Sequence, residues 1–327
     1  MPGDGGRRVL PAVMFLVSFA WTFVYVGLPF HIHDITTRDA AGTLAWTGWI
    51  LGITSLVTVV STPLWARLAR DNPRAACVIV QACQGVGFFA TALADSLGEL
   101  FLARLGLGIV GSTSTFAFIL VGRVLDPADL RRRVAAVQGA ITVGNVAAPL
   151  VGAVAMARFG FAGSCMIGGT ILLASGALVH WGVPPSPPAA PAATPERTPL
   201  PLRELAVAAG VVLVASIHES FLAAVLPQVL PHLGVAPARV LEAGGVLIFA
   251  SGVAAAVGGL AAPRLLELMP ERRLLPLLVV ASSAGLLALA APRSLGLYIL
   301  VRFLQAVAIA PLFPLVVARI AQHGGGE

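Results

Sequence analysis

The chain alternates long apolar runs with short polar breaks, and the runs recur at the length that a bilayer demands. A hydrocarbon layer about 30 Å thick is crossed by about 20 apolar residues in a helix, which satisfies its own backbone groups. Ten stretches meet that requirement, at residues 9–32, 43–66, 75–95, 98–123, 133–157, 162–183, 203–229, 239–262, 273–291 and 295–320. The pattern predicts an all-α integral membrane protein with ten transmembrane helices. The first run follows Arg7 and Arg8 but lacks a small-residue cleavage pattern, so it reads as a retained span rather than a signal peptide.

One break differs from the others. Residues 184–201 read PPSPPAAPAATPERTPLP, a composition that favours extended polyproline II and cannot cross a membrane as a helix. It predicts a six-helix bundle over residues 1–183, a cytoplasmic linker over 184–202, and a four-helix half over 203–327.

Composition supports this reading. Hydrophobic residues make up 57% of the chain and charged residues only 11%, where soluble domains carry about 25% charged residues. An ordinary globular enzyme is excluded. The net charge of +6 is scattered in clusters between apolar runs, a poor footprint for nucleic acid. All 21 basic residues are arginine, which closes any mechanism needing a Schiff-base or P-loop lysine.

The arginines also orient the chain. With the N-terminus in the cytoplasm, fifteen fall on that side and only Arg38, Arg158, Arg239 and Arg293 on the other. That bias predicts a multi-pass protein of the cytoplasmic membrane with both termini inside. Cys77, Cys83 and Cys165 lie within apolar runs, lack metal spacing and read as buried small hydrophobes.

The two halves carry an internal repeat. Phe23, Leu28 and Pro29 recur as Phe221, Leu226 and Pro227, each displaced by 198 residues. Ser96, Leu97, Gly98 and Arg104 recur as Ser294, Leu295, Gly296 and Arg302, and Arg74 as Arg272, at the same displacement. Parallel repeats of membrane helices are an architecture of secondary transporters. The second half stops where the first would begin its fifth span, so two helices are expected to be missing through truncation, or the chain is a ten-helix variant.

This organisation resembles the major facilitator superfamily, and three local patterns carry the resemblance. The loop after span two contains Arg70, Asp71 and Arg74, similar to that family's first signature, with an alanine in place of its leading glycine and Pro73 in place of its second. Span four carries Arg104 followed by Gly106, Gly108 and Gly111, like the family's intramembrane arginine motif. Span five carries Gly139, Gly144, Pro149 and Gly152, similar to the motif of its antiporter branch, which exports drugs and metabolites. The resemblance implies gating or motif roles for Arg70, Asp71, Arg74, Gly108, Gly144, Pro149 and Gly152. It also implies helices one, four, seven and ten around a central cavity.

Ionisable residues within spans point to function because a charge at the bilayer centre costs at least about 2.5 kcal/mol. Arg104 and Arg302 are two such groups, either cavity-lining or snorkelling to the interface. His218 and Glu219 lie deep in span seven, where a carboxyl in low dielectric can load and release a proton. Trp21 and Tyr25, four apart on one helical face, are candidates for an aromatic cavity wall or for packing. Gln138 and Asn145, seven apart, share a face and are candidate cavity amides, as is Gln305. The hydroxyls at positions 112–115 read as helix-packing groups. Gly106-Leu107-Gly108-Ile109-Val110-Gly111 fits a dinucleotide fingerprint as a string, but no strand precedes it.

The expected function is export of a small drug or metabolite by alternating access, coupled to proton influx, in a monomer without cofactor or metal. Uptake of a sugar or organic acid, a non-transporting remnant and a membrane-embedded serine hydrolase are the rival readings.

Overall fold

The computed structural model describes residues 4–69, 71–111, 113–122, 127–184, 202–312 and 315. Among them all regular structure is helical, with no strand. The chain divides into two compact units, Met1–Ala190 and Pro191–Glu327. Residues 185–201, most of the proline-rich segment, lie outside the described residues.

The first unit contains α1 (Asp4–Tyr25), α2 (Leu28–Ile35), α3 (Ala40–Leu68), α4 (Pro73–Ala92), α5 (Leu97–Val110), α6 (Thr113–Val121) and α7 (Pro127–Gly182). The second contains α8 (Leu202–His232), a 3-10 turn at Pro237–Arg239, α9 (Val240–Leu268), α10 (Glu271–Ala288) and α11 (Leu295–Ile309).

Helix starts follow from local chemistry. Asp39 caps α3 by accepting from the Gly42 amide at 2.9 Å. Asn72 caps α4 through the Ala75 amide at 3.0 Å, with Pro73 in the first turn, where a missing N–H costs nothing. Ser96 caps α5 through the Glu99 amide, while the Glu99 carboxylate accepts from the Asp95 amide at 2.9 Å.

Six helical segments among the described residues are long and apolar enough to cross a membrane: Val9–Ile35, Ala40–Arg67, Pro73–Ala92, Leu97–Val121, Asp129–Gly182 and Pro237–Leu268. The helices follow the expected spans with local interruptions. Span one is interrupted at residues 26–27 ahead of Pro29, and span four is interrupted at Gly111. Spans five and six are joined as the two arms of α7. At 1.5 Å per residue, the 54 residues from Asp129 to Gly182 would reach about 80 Å if straight. The arms part at Gly160, whose φ of 70° and ψ of −178° are not helical.

Polarity is arranged for lipid rather than water. On α3, Val59 and Val60 are 73% and 70% exposed, whereas Thr47 and Ser61 are buried. In water this would be a large apolar patch; in a bilayer it is the lipid face.

Within the first unit α1 packs mainly against α7 and runs parallel to its first arm. A Cβ at Gly144 would fall 2.7 Å from the Phe15 carbonyl oxygen, and one at Gly152 only 2.4 Å from that of Phe23. The backbones touch at both positions, and buried Pro149 lies between them in the helix. Gly139, in the same motif, has nothing within 4 Å of a built Cβ.

In the second unit Leu274, Leu275 and Leu278 of α10 pack against Ile309, Leu312 and Leu315. The two units share geometry at the sequence displacement already noted. Ser96 and Ser294 precede α5 and α11 with nearly equal φ values of −133° and −135°, and α4 and α10 begin 198 residues apart. A Cβ at Gly87 would meet Leu107, and one at Gly285 would meet Gln305, again at that displacement.

The glycine contacts make a test. Gly152→Leu should destabilise the first unit by about 1–3 kcal/mol, the range for overpacking, and Gly139→Ala should leave stability unchanged. Thermal unfolding of the detergent-purified chain reads both, and equal melting temperatures for the two variants would reject the packing role.

Candidate functional site

The site begins with a broken helix. Gly111 separates α5 from α6 with φ 81° and ψ −166°, a conformation open essentially to glycine. The break releases carbonyls that a continuous helix would have bonded, and each must find a donor within the protein. A stripe on α3 lies along this end of α5. Trp65 Nε1 donates to the Ile109 carbonyl at 2.8 Å, Ser61 Oγ to that of Gly108 at 2.8 Å beside the Gly111 amide at 3.2 Å, and Thr54 Oγ1 to that of Arg104, within α5, at 3.0 Å. Thr58 Oγ1 also reaches the Gly108 carbonyl, at 3.3 Å.

The carbonyl of Gly111 itself accepts from Gln84 Nε2 of α4 at 2.8 Å. Gln84 Oε1 in turn accepts from Thr113 Oγ1 at 3.0 Å and Trp21 Nε1 at 3.4 Å. One buried amide thus links α1, α4 and both sides of the break.

These groups border a cavity of about 520 Å³ within the first unit, inside the range of small-molecule sites. Its wall combines the ring of Trp21, the amides of Gln84, Gln138 and Asn145, and hydroxyls including Thr54, Thr58, Thr113 and Ser114. No ionisable side chain borders it among the described residues. Asn145 Oδ1 accepts from Thr22 Oγ1 at 2.9 Å, which fixes its amide orientation.

Arg104 stands behind this wall. It is only 4% exposed, so its head does not snorkel to the interface, and its guanidinium carbon lies 5.9 Å from the centre of the Trp21 ring. Its Nε has no hydrogen-bond partner, and no carboxylate forms an ion pair with it among the described residues. A cation–π contact supplies about 0.5–2 kcal/mol, less than the penalty of at least about 2.5 kcal/mol for a charge at the bilayer centre. Tyr25 is half-buried and lies near Arg104, outside the cavity wall.

The repeat-related Arg302 of the second unit is equally buried and engages protein partners. Its Nε donates to Ser251 Oγ at 3.2 Å and its Nη1 to the His218 carbonyl at 3.1 Å. Nη1 also bonds Gln305 Oε1, so Arg302 and Gln305 together tie α8, α9 and α11. His218 is 5% exposed. Its Nδ1 lies 2.8 Å from the Val214 carbonyl, which can only accept, so this nitrogen carries the proton. Nε2 is buried without a partner. The side chain of Glu219 lies outside the described residues.

The same chain has recognisable relatives. The profile of the Major Facilitator Superfamily matches residues 12–215. The chain belongs to the Major Facilitator Superfamily. It is 23% identical over 171 residues to the MFS-type transporter YuxJ of Bacillus subtilis, covering 52% of this chain and 43% of that one. It is 25% identical over 166 residues to the staphyloferrin B transporter of Staphylococcus aureus, covering 49% and 38%. A 23% identity over 143 residues links it to the multidrug resistance protein MdtG of Escherichia coli, covering 43% and 34%. The chain thus spans about two-fifths of the length of the curated relatives it matches. Among solved structures the nucleoside transporter NupG superposes with a TM-score of 0.75 at 14% identity, covering 98% of this chain and 83% of that one. A bacterial homologue of the human lysosomal transporter Spinster, inward-facing and occupied, gives 0.71 at 16%, covering 95% and 72%.

Members of this superfamily are multi-pass membrane proteins that carry small solutes, not enzymes. The residues that resemble its motifs occupy definite places here. Gly108 sits where α5 meets α3, since a Cβ would fall 2.8 Å from the Thr54 carbonyl oxygen. Arg74 donates through Nη2 to the His180 carbonyl near the end of α7, a favourable place for a cation. Asp71 is exposed, and Arg70 lies outside the described residues.

The cavity therefore brings together Trp21, Gln138 and Asn145 and leaves Tyr25, Arg104, Arg302 and Gln305 outside its wall. Gln84, Thr54 and Thr58 were not singled out from sequence, although all are polar residues inside apolar runs. Gln84 gives the test. Gln84→Leu removes the partner of Gly111, Thr113 and Trp21 together and should cost about 1–3 kcal/mol for the buried groups left unpaired. Thermal unfolding measures it, and a melting temperature equal to that of the parent chain would show that the network contributes nothing.

Proposed function

We propose that this chain exports a small drug- or metabolite-like solute across the cytoplasmic membrane by alternating access, coupled to proton entry. Membership of a transporter superfamily supports carriage, and the glycine and proline motif on the first arm of α7 favours export. The names of two relatives, a multidrug resistance protein and a staphyloferrin B transporter, are compatible with such cargo. Both termini and the proline-rich segment face the cytoplasm in this reading, in keeping with the arginine bias. Six helices form the N-terminal bundle and four the second half.

The observation that carries the solute site is the cavity of the first unit, large enough for a small molecule and lined by oriented amides and hydroxyls around one aromatic ring. Gln138 and Asn145 would grip polar groups of the solute while Trp21 covers an apolar surface. Arg302 and Gln305 keep the second half assembled, and the contacts at Gly108, Gly144 and Gly152 let helices slide as rigid bodies.

Proton coupling rests on His218 and Glu219. The Nδ1 proton of His218 is committed to a carbonyl, which leaves Nε2 as a buried lone pair without a partner. Glu219, the next residue on α8, supplies a carboxyl that can take up and release a proton. Protonation from one side and release to the other would return the carrier. Energy for transport then comes from an ion gradient.

Reconstituted vesicles with an imposed pH gradient test this, offered a panel of radiolabelled aromatic anions and cations. The parent chain should move at least one of them against its own gradient. Glu219→Gln and His218→Ala should each lower the initial rate at least about tenfold, within the range for lost proton-transfer groups, while binding persists. Undiminished gradient-driven flux in both variants would remove these residues from the coupling step.

A further inference from the structure

The two halves treat the same buried arginine differently, and the difference points to the cargo. In the second unit the side chains of Ser251 and Gln305 hold Arg302. The 198-residue displacement puts Ile53 and Leu107 at those positions in the first unit. Neither can accept a hydrogen bond. Arg104 is therefore buried as deeply as Arg302 but has lost both side-chain acceptors, and its Nε remains without a partner.

Among the described residues no carboxylate forms an ion pair with it. Cys165 and Tyr25 are its nearest electrostatic neighbours, and both are neutral in their ordinary state. A guanidinium does not give up its proton in a protein. Its guanidinium lies over the ring of Trp21, which also borders the cavity. Leu107 and Gly111, on the same helix as Arg104, also reach the cavity. A solute in the cavity thus sits one aromatic ring away from a buried, uncompensated cation.

The cavity itself has many donors and no carboxylate among its described residues. Such a wall can complete the hydrogen bonds of an anion and holds no carboxylate to pair with a cation. We propose that the cargo carries an anionic group, a carboxylate, sulfonate or phosphate on a small organic body, and that Arg104 is the specificity-determining residue that selects it. This rests on the transport reading above for the word cargo, but concerns only what the cavity binds. A movement of the Trp21 ring would let the anion approach the guanidinium, and the hydroxyl and amide groups would complete its hydrogen bonds.

The test uses the full chain in phosphatidylcholine nanodiscs and three probes of similar size: benzenesulfonate, benzyl alcohol and benzyltrimethylammonium. Trp fluorescence or calorimetric titration should show benzenesulfonate binding at least about tenfold more tightly than the other two, as expected for a charge-assisted contact. Arg104→Gln should bring benzenesulfonate down to the level of benzyl alcohol while leaving benzyl alcohol unchanged, which also shows that the variant is folded. Arg104→Lys should keep part of the preference. Equal or tighter binding of benzyltrimethylammonium, an anion preference that survives in Arg104→Gln, or no binding of any probe would overturn the proposal.

A second arm separates a soluble anion from a lipid headgroup. In nanodiscs containing phosphatidylglycerol the benzenesulfonate constant should stay the same, and its loss would assign the cation to lipid and overturn the cargo reading. Binding is read without flux, so a chain that binds the sulfonate but moves nothing in vesicles would count against transport alone.

Discussion

Carbonyl oxygens released by a break in a helix cannot turn to water inside a hydrocarbon layer, and each must find a donor in the protein. The break at Gly111 imposes that demand on the first unit. It is met at Ile109 and Gly111 by Trp65 of α3 and Gln84 of α4, and a polar stripe on α3, Thr54, Thr58 and Ser61, adds bonds to further carbonyls of α5. The stripe must face inward to reach its carbonyls, which turns Val59 and Val60 outward to lipid. Thr54, Thr58 and Gln84 also border the cavity. Much of its polarity therefore arises from the groups that hold the broken helix, and a substitution meant to change ligand preference there also disturbs the fold.

The repeat shows how one scaffold position can serve two ends. At Arg302 two neighbouring helices, α8 and α9, and its own helix supply acceptors, and the cation becomes an internal clamp. At Arg104 the corresponding acceptors are aliphatic, so the clamp is gone while the burial remains. Keeping a buried charge after removing its partners is costly. Had the position served packing alone, Arg104 would be the residue to replace by an apolar one of similar volume, and its retention is the physical argument for an external partner.

The membrane class and the apolar runs were legible because length and composition determine them. Gln138 and Asn145 were legible as a pair because a seven-residue spacing fixes a common helix face. The parting of spans five and six was legible as the gap between residues 157 and 162, where Gly160 leaves helical geometry, but the break inside span four was not, since Gly111 stands within the continuous run 98–123. Gln84 and the α3 stripe were missed for another reason. Their importance comes from the carbonyls they satisfy 27 to 50 residues away, and nothing in the local pattern reports where a neighbouring helix breaks. Arg104 and Arg302 were read alike, because their difference lies in the partners and becomes visible only when the repeat is laid over the hydrogen bonds.

Separating cargo charge from energy coupling has an electrical consequence. The proposed anion site lies in the first unit and the proposed proton carriers, His218 and Glu219, on α8 of the second. Export of a monovalent anion in exchange for one entering proton moves two positive charges inward per cycle. Each is worth about 2.3 kcal/mol per 100 mV of membrane potential, so an inside-negative potential would drive this exchange along with the pH difference. A carrier exchanging a monovalent cation for a proton moves no net charge and draws on the pH difference alone. An imposed potential at constant pH distinguishes them, because only the anion exchanger would accelerate. The absence of acidic groups from the described cavity wall is then consistent with its energetics: a carboxylate there would repel the cargo and neutralise the cation that selects it.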